Sequence, residues 1–195
     1  MNHTMIVLAG PNGAGKSTLY AMRVAPHFHA PFINADLIQR DELRDTLPEA
    51  SYKAAQIATE RRAALLAARA DFVTETVFSH ESKLELIDQA KANGFHVVVM
   101  HVGVEDADIS VKRVHARVDE GGHAVPEHKI RARYERNAPL IRKAILRADA
   151  GLVYDNSMLN EKPKLRLTFL GGRLSAAAPH LPNWIMAVYG QGLIV

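Results

Sequence analysis

Between residues 10 and 18 the chain reads Gly10-Pro11-Asn12-Gly13-Ala14-Gly15-Lys16-Ser17-Thr18. Two glycines five apart, with a lysine and a hydroxyl directly behind them, satisfy the pattern G-x-x-x-x-G-K-[ST]. The glycines let successive backbone N–H groups turn inward around an anion, and a helix starting at once behind them adds the positive end of its dipole. Lys16 then reaches the β- and γ-phosphates of a nucleotide as a mobile point charge. The Ser17 hydroxyl is a hard oxygen ligand for Mg²⁺. Gly10 to Thr18 are therefore the expected ATP-binding loop, with ATP and Mg²⁺ the implied cofactors.

Such a loop alone does not separate kinases from switches, motors or transporter ATPases. Asn34-Ala35-Asp36 adds a carboxylate at the end of a short apolar run. There it could accept the proton of an attacking hydroxyl or hold Mg²⁺ through water; Asp36-x-x-Gln39 is also a helix N-cap box. Glu75-Thr76 ends another run, after Phe72-Val73, where a charge is costly unless it binds something. Asn34, Asp36, Glu75 and Thr76 are the candidate substrate-binding residues.

Arg113, Arg117, Arg131, Arg133 and Arg136 crowd around Gly121-Gly122-His123. Arg113 and Arg117 lie four apart and share a helix face. Arg131 and Arg133 point to different faces, so both cannot enter one site. An arginine-rich helix–turn–helix is how small-molecule phosphate-loop kinases close over ATP, expelling water and stabilising charge on the transferring phosphoryl group. The lid is expected at about residues 113–136, with His123 in its turn. A solvated basic surface accounts for Arg136 and Arg142 more readily than for Arg117 and Arg133. No His/carboxylate spacing resembles a zinc pattern, and His80 reads as a surface residue with substrate contact the alternative.

Alternating strands and helices must hold these groups. Strands are expected at Thr4 to Ala9, Phe32-Ile33, Asp71 to Thr76, Phe95 to Val102 (the most apolar, hence central), Gly151 to Tyr154 and Leu165 to Leu170. Helices are expected from Lys16, after Asp36, from Ala50 to Ala70, and from Glu81 to Asn93 with a Ser82-x-x-Glu85 capping box. Two more carry apolar stripes, one with Ala107, Val111, Val114 and Val118, the other opened by Pro126 with Ile130, Tyr134, Ile141, Ile145 and Ala148. This order predicts one α/β domain over residues 1–195. Its expected form is a three-layer phosphate-loop NTPase/kinase fold with a mostly parallel central sheet and a helical Arg-rich lid. The tail, about residues 158–195, has no readable role.

Composition narrows the setting. With 48% hydrophobic and 23% charged residues among 195, global disorder is excluded. The absence of cysteine removes disulfides, thiolate zinc sites and cysteine nucleophiles, and fits a reducing compartment. The first apolar run lacks a basic region ahead of it, and no apolar stretch approaches the ~20 residues of a membrane span; neither a signal peptide nor a membrane partner is expected, and the expected place is the cytoplasm. Net charge is +3, with only 6% aromatics and the arginines concentrated rather than spread. That argues against a nucleic-acid face.

Taken together, GPNGAGKST, INAD, FVTETVFS, RVHARVDEGGHAVPEHKIRARYER and VYDNS resemble the zeta-toxin family of phosphate-loop kinases, in its short single-domain branch, over roughly residues 4 to 157. The GGH-x-VP lid is the most specific element, because generic phosphate-loop kinases lack it. The resemblance implies ATP-dependent phosphorylation of a nucleotide-sugar hydroxyl, typically the 3′-OH of the amino sugar in UDP-N-acetylglucosamine, and an antitoxin protein as a partner that blocks the ATP site. Asp36 falls at the family's catalytic base, and Lys16 and Ser17 at its phosphate and Mg²⁺ positions. Arg117 and Arg133 are assigned as its two phosphate-sensing arginines, with Arg113 and Arg131 in reserve. Where familiar members place a Thr two positions after the Glu, this chain has Val77, and Thr76 comes first. Other acceptors (a nucleoside, a simple sugar, a polynucleotide end) stay open, as does a nucleotide-binding switch, which would need no alcohol-activating base at Asp36.

Overall fold

In Thr4–Ala9 (β1), Met5, Val7 and Ala9 face one side and Ile6 and Leu8 the other, and all five are buried. Burial on both faces is what a central parallel strand requires. The structure, a computed structural model, describes residues 3–45, 47–119 and 125–192, with side chains for all of these except 48, 117–119 and 192.

After β1 come Lys16–Leu19 (α1, continued by a wider helical turn over Tyr20–Val24), Phe32–Ile33 (β2), Ala35–Leu37 (α2), Pro48–Ala67 (α3), Phe72–Thr76 (β3), Ser82–Ala92 (α4) and His96–Gly103 (β4). Ala107–Asp119 (α5), Glu127–Arg147 (α6), Ala150–Asp155 (β5), Lys164–Leu170 (β6), Arg173–Ala177 (β7) and Asn183–Tyr189 (α7) follow. The strands form one sheet in the order β2-β3-β1-β4-β5-β6-β7, parallel up to β5 and antiparallel beyond it. This is a phosphate-loop kinase-like α/β fold, and the apolar strand expected at the centre is β4.

After β1 the chain moves to the β3 side, and after β3 it crosses to β4. Such a reversal leaves a crevice at the carboxyl ends of the strands, where α/β sheets bind ligands. The phosphate loop leaves β1 at that end.

One face of the sheet packs Val7, Val99 and Val153 against Ala54, Ala58, Ile87, Ile141, Ile145 and Ile185 from α3, α4, α6 and α7. The other packs Ile6, Leu8, Met100 and Val102 against Leu19 and Val24. Val111, Val114 and Ile130 form a small separate core with Val125. The expected lid is thus a helix pair with packing of its own. α6 belongs to both parts: Ile130 is in the small separate core, and Ile141 and Ile145 lie under the sheet. Pro139, which has no N–H to donate, sits between those stretches.

Three local expectations are corrected. The small helix starts at Ala35 rather than after Asp36, because Asn34 is its N-cap and Asn34 Oδ1 accepts from the N–H of Asp36 (2.8 Å) and Leu37 (3.3 Å). The N-cap box of Asp36 with Gln39 therefore does not form; Gln39 Nε2 donates to the carbonyls of Asp45 and Leu47 instead. Nor does Ser82 cap α4: the N-cap is Glu81 without a side-chain bond, and His80 Nδ1 takes the Ser82 N–H at 3.2 Å. The tail completes the sheet with β6 and β7 and buries Trp184, Ile185 and Tyr189 of α7.

Candidate active site

The loop between β1 and α1 is held from beneath. Gly15 has φ +94°, and a Cβ there would lie 2.3 Å from Asn156 Nδ2, which donates to the Ala14 carbonyl at 2.8 Å. A Cβ on Gly10 would meet the Val102 carbonyl at 2.1 Å. Both glycines are required by close approach, and Asn156, directly after β5, is a supporting residue that the sequence marks only as part of the VYDNS match.

Lys16 is buried, with Nζ donating to the Pro11 carbonyl at 3.0 Å and 3.6 Å from Glu75 Oε1. The other carboxylate oxygen of Glu75 accepts from Ser17 Oγ and from Asn34 Nδ2, both at 2.9 Å. β1, β2 and β3 thus bring Lys16, Ser17, Asn34 and Glu75 into contact. The Ser17 hydroxyl and Glu75 carboxylate are two hard oxygens at one helix start, a donor set that suits Mg²⁺, which takes its other ligands from phosphates and water. Among the described residues no cluster of three or more His, Cys, Asp or Glu offers a metal cage by itself.

With Asn34 capping α2, the exposed Asp36 side chain is left over. It has no hydrogen-bond or ion-pair partner among the described residues, and it lines a cleft of ≈ 200 Å³ together with Lys16, Glu75 and Thr76. Thr76 Oγ1 accepts the Phe78 N–H at 3.0 Å and so stabilises its own turn.

Two cations that the sequence reading missed line the same cleft, Arg62 of α3 and Lys83 of α4. A signal for Arg62 existed. It follows Ala54 and Ala58 at helical spacing and precedes Leu66, so a guanidinium interrupts the buried stripe of α3. Nothing in the pattern around Lys83 marks it out.

From α6, Arg133 donates to Asn12 Oδ1 in the phosphate loop at 3.1 Å. Arg113 donates to the carbonyls of Asn156 (2.8 Å) and Met158 (3.2 Å), tying α5 to the segment after β5. Burial lowers its pKa, against the opposing pull of Asp155. Arg131 is turned away, exposed and paired with Asp108 and Glu127. The Arg117 side chain and all of Gly121, Gly122 and His123 lie outside the described residues.

Residues 5–141 match the family model of the AAA domain (AAA_33), well over half of the chain. The chain belongs to that family. Over 143 residues it is 28% identical to an uncharacterized protein of Haemophilus influenzae, which covers 69% of this chain and 94% of that one. Among solved structures, the AvrRxo1-ORF1:ORF2 complex with ATP contains a chain matched with a TM-score of 0.66 at 15% identity, over 89% of this chain and 60% of that one. The PezAT chromosomal toxin–antitoxin system of Streptococcus pneumoniae gives 0.62 at 14% identity, over 80% and 69%. At these identities the likeness is one of fold. This chain spans about three fifths of the AvrRxo1 complex chain it matches.

Proposed function

We propose that this chain is an ATP- and Mg²⁺-dependent kinase that moves the γ-phosphoryl group to a hydroxyl of a small acceptor. The observation that carries the reading is the unpartnered carboxylate of Asp36 lining the same cleft as Lys16. An acceptor oxygen attacks the γ-phosphorus, the bond to the β–γ bridging oxygen breaks, and the hydroxyl proton passes to Asp36, giving ADP and a phosphomonoester. Lys16 offsets charge on the β- and γ-phosphates, and Arg133, already at the loop, follows the phosphoryl group as it moves. Ser17 and Glu75 would hold the Mg²⁺, whose contribution is neutralisation of the phosphate oxygens.

A nucleotide sugar of the UDP-N-acetylglucosamine kind is the first acceptor class, on the strength of the sequence resemblance. An antitoxin protein covering the ATP site belongs to the same reading, and the PezAT likeness supports it. The modest cleft volume, ≈ 200 Å³, favours a second reading in which the acceptor is smaller, a nucleoside or simple sugar. Incubation with Mg²⁺-ATP and a panel of nucleotide sugars, nucleosides, sugars and short oligonucleotides, read by acceptor mass, tests both. A phosphoryl gain on UDP-N-acetylglucosamine upholds the first, and a gain only on smaller alcohols upholds the second. ADP formation without any phosphorylated acceptor would remove the kinase reading in favour of a hydrolytic switch.

A further inference from the structure

Arg61 and Arg62 are neighbours in α3 with opposite circumstances. Arg61 is exposed and makes a two-pronged ion pair with Glu42 at 2.6 and 2.5 Å. Arg62 is 7% exposed, and its one described side-chain bond is from a guanidinium nitrogen to the neutral Thr59 Oγ1 at 2.8 Å. No carboxylate among the described residues pairs with it. Burying a guanidinium without a counter-charge is unfavourable, and a stripe otherwise built of Ala54, Ala58 and Leu66 would accept an apolar residue at that position.

Lys83 lines the same cleft from the first turn of α4. It too has no acidic partner among the described residues. Its pKa is lowered, first by burial and then by the charge of Arg62. Two cations that repel one another thus meet in one cleft. The carboxylates nearby do not relieve them: Glu75 is engaged by Ser17, Asn34 and Lys16, and the exposed Asp36 forms an ion pair with neither. A cleft arranged in this way is stabilised when an oxyanion lies between the two cations, where charge-assisted hydrogen bonds are strongest.

We propose that Arg62 and Lys83 form an anion-binding subsite of the acceptor cleft, so that the molecule phosphorylated there is an alcohol bearing a second, anionic group, a phosphate or a carboxylate. The inference rests on the kinase reading for the word acceptor, and on the cleft alone for the anion. Asp36 takes the reacting hydroxyl at one end, and the Arg62–Lys83 pair fixes the anion at the other. Fixing both ends orients the hydroxyl toward the γ-phosphate.

The test separates the two ideas. With the phosphate loop filled by a non-hydrolysable ATP analogue and Mg²⁺, inorganic phosphate and malonate are titrated into the protein by calorimetry. Wild type should bind one further anion, and whichever of the two binds more tightly names the source. Arg62→Gln and Lys83→Gln should each weaken that binding at least about tenfold, Arg62→Lys should restore part of it, and Arg61→Gln should change nothing. Lys83, only half-buried, keeps the test valid if Arg62→Gln fails to fold. Turnover is then compared for matched acceptors, N-acetylglucosamine against its UDP form and glucose against glucose 6-phosphate. The anionic member should be preferred, and Lys83→Gln should raise its KM with a smaller change in kcat. No second anion, or anion binding indifferent to both substitutions, overturns the subsite. Equal turnover of neutral and anionic alcohols overturns it as well and leaves the kinase intact. Anion binding as described, with no acceptor phosphorylated, upholds the subsite and removes only the kinase.

Discussion

Two hollows among the described residues differ in more than size. A cavity of ≈ 640 Å³ lies between α6 and α7, lined by His101, Tyr134, Pro139, Trp184 and Val188 among others. Its buried polar groups answer one another: His101 Nδ1 is 2.7 Å from the Tyr189 hydroxyl, Trp184 Nε1 donates to Asp155 Oδ1 at 3.0 Å, and the Tyr134 hydroxyl is 2.9 Å from the carbonyls of Val104 and Glu105. In the cleft of ≈ 200 Å³ beside the phosphate loop, Asp36, Arg62 and Lys83 have no oppositely charged partner among the described residues. Space alone is a poor guide to function. Uncompensated charge in a concave site is a better one, because folding does not keep it without a return elsewhere.

The sharpest way to break this contrast is Lys16→Ala. Phosphoryl transfer should fall by about 10³-fold, while thermal unfolding stays close to wild type, since Glu75 keeps its bonds from Ser17 and Asn34. Turnover at the wild-type rate would strip the cleft of its role. Asp36→Asn should lower kcat by about 10²-fold with the affinity for an ATP analogue unchanged. Affinity falling in step with kcat would instead put Asp36 on the nucleotide side of the loop.

On the other side of the contrast, Trp184→Ala empties part of a packed layer and leaves Asp155 with one donor fewer. Unfolding free energy in urea should drop by about 3–5 kcal/mol, with turnover per folded molecule nearly unchanged. Catalysis collapsing at full stability would make the larger cavity a participant.

How much of this the sequence disclosed depends on how local the cause was. The phosphate loop and β1 are read directly, since each glycine and each apolar residue acts at its own position. Asn34 and Asp36 are harder, because both residue types cap helices well; only the backbone decides that Asn34 turns inward, which leaves Asp36 unengaged. Arg62 was legible in phase with Ala58 but easily lost beside Arg61. The division of α6 between two cores is invisible to periodicity, as Ile130 and Ile145 continue one stripe past Pro139. β6 was legible as the run Leu165 to Leu170, whereas β7, mostly exposed at the sheet edge, carries too little apolar pattern to declare itself. The lid arginines mark the limit: spacing separates Arg131 from Arg133, but which one meets Asn12 depends on how α6 docks.

The smallest expected effect is also the most selective probe of the satisfied region. Burial lowers the pKa of His101 to about 3, from an ordinary value of 6.5. The folded protein therefore holds this imidazole neutral where the unfolded chain would protonate it. The unfolded state binds more protons throughout that interval, so the stability owed to a neutral His101 is complete above about pH 6.5 and is lost as pH falls toward 3. Between about pH 7 and about pH 5 the loss attributable to this one group should be about 2 kcal/mol. Comparing wild type with His101→Gln, whose amide can still meet the Tyr189 hydroxyl, isolates it from the carboxylates that titrate in both proteins. The pH dependence of unfolding free energy should be shallower in the variant. Identical slopes would mean that His101 can take up its proton without unfolding, and the layer between β4 and α7 would then be more open to water than its contacts imply.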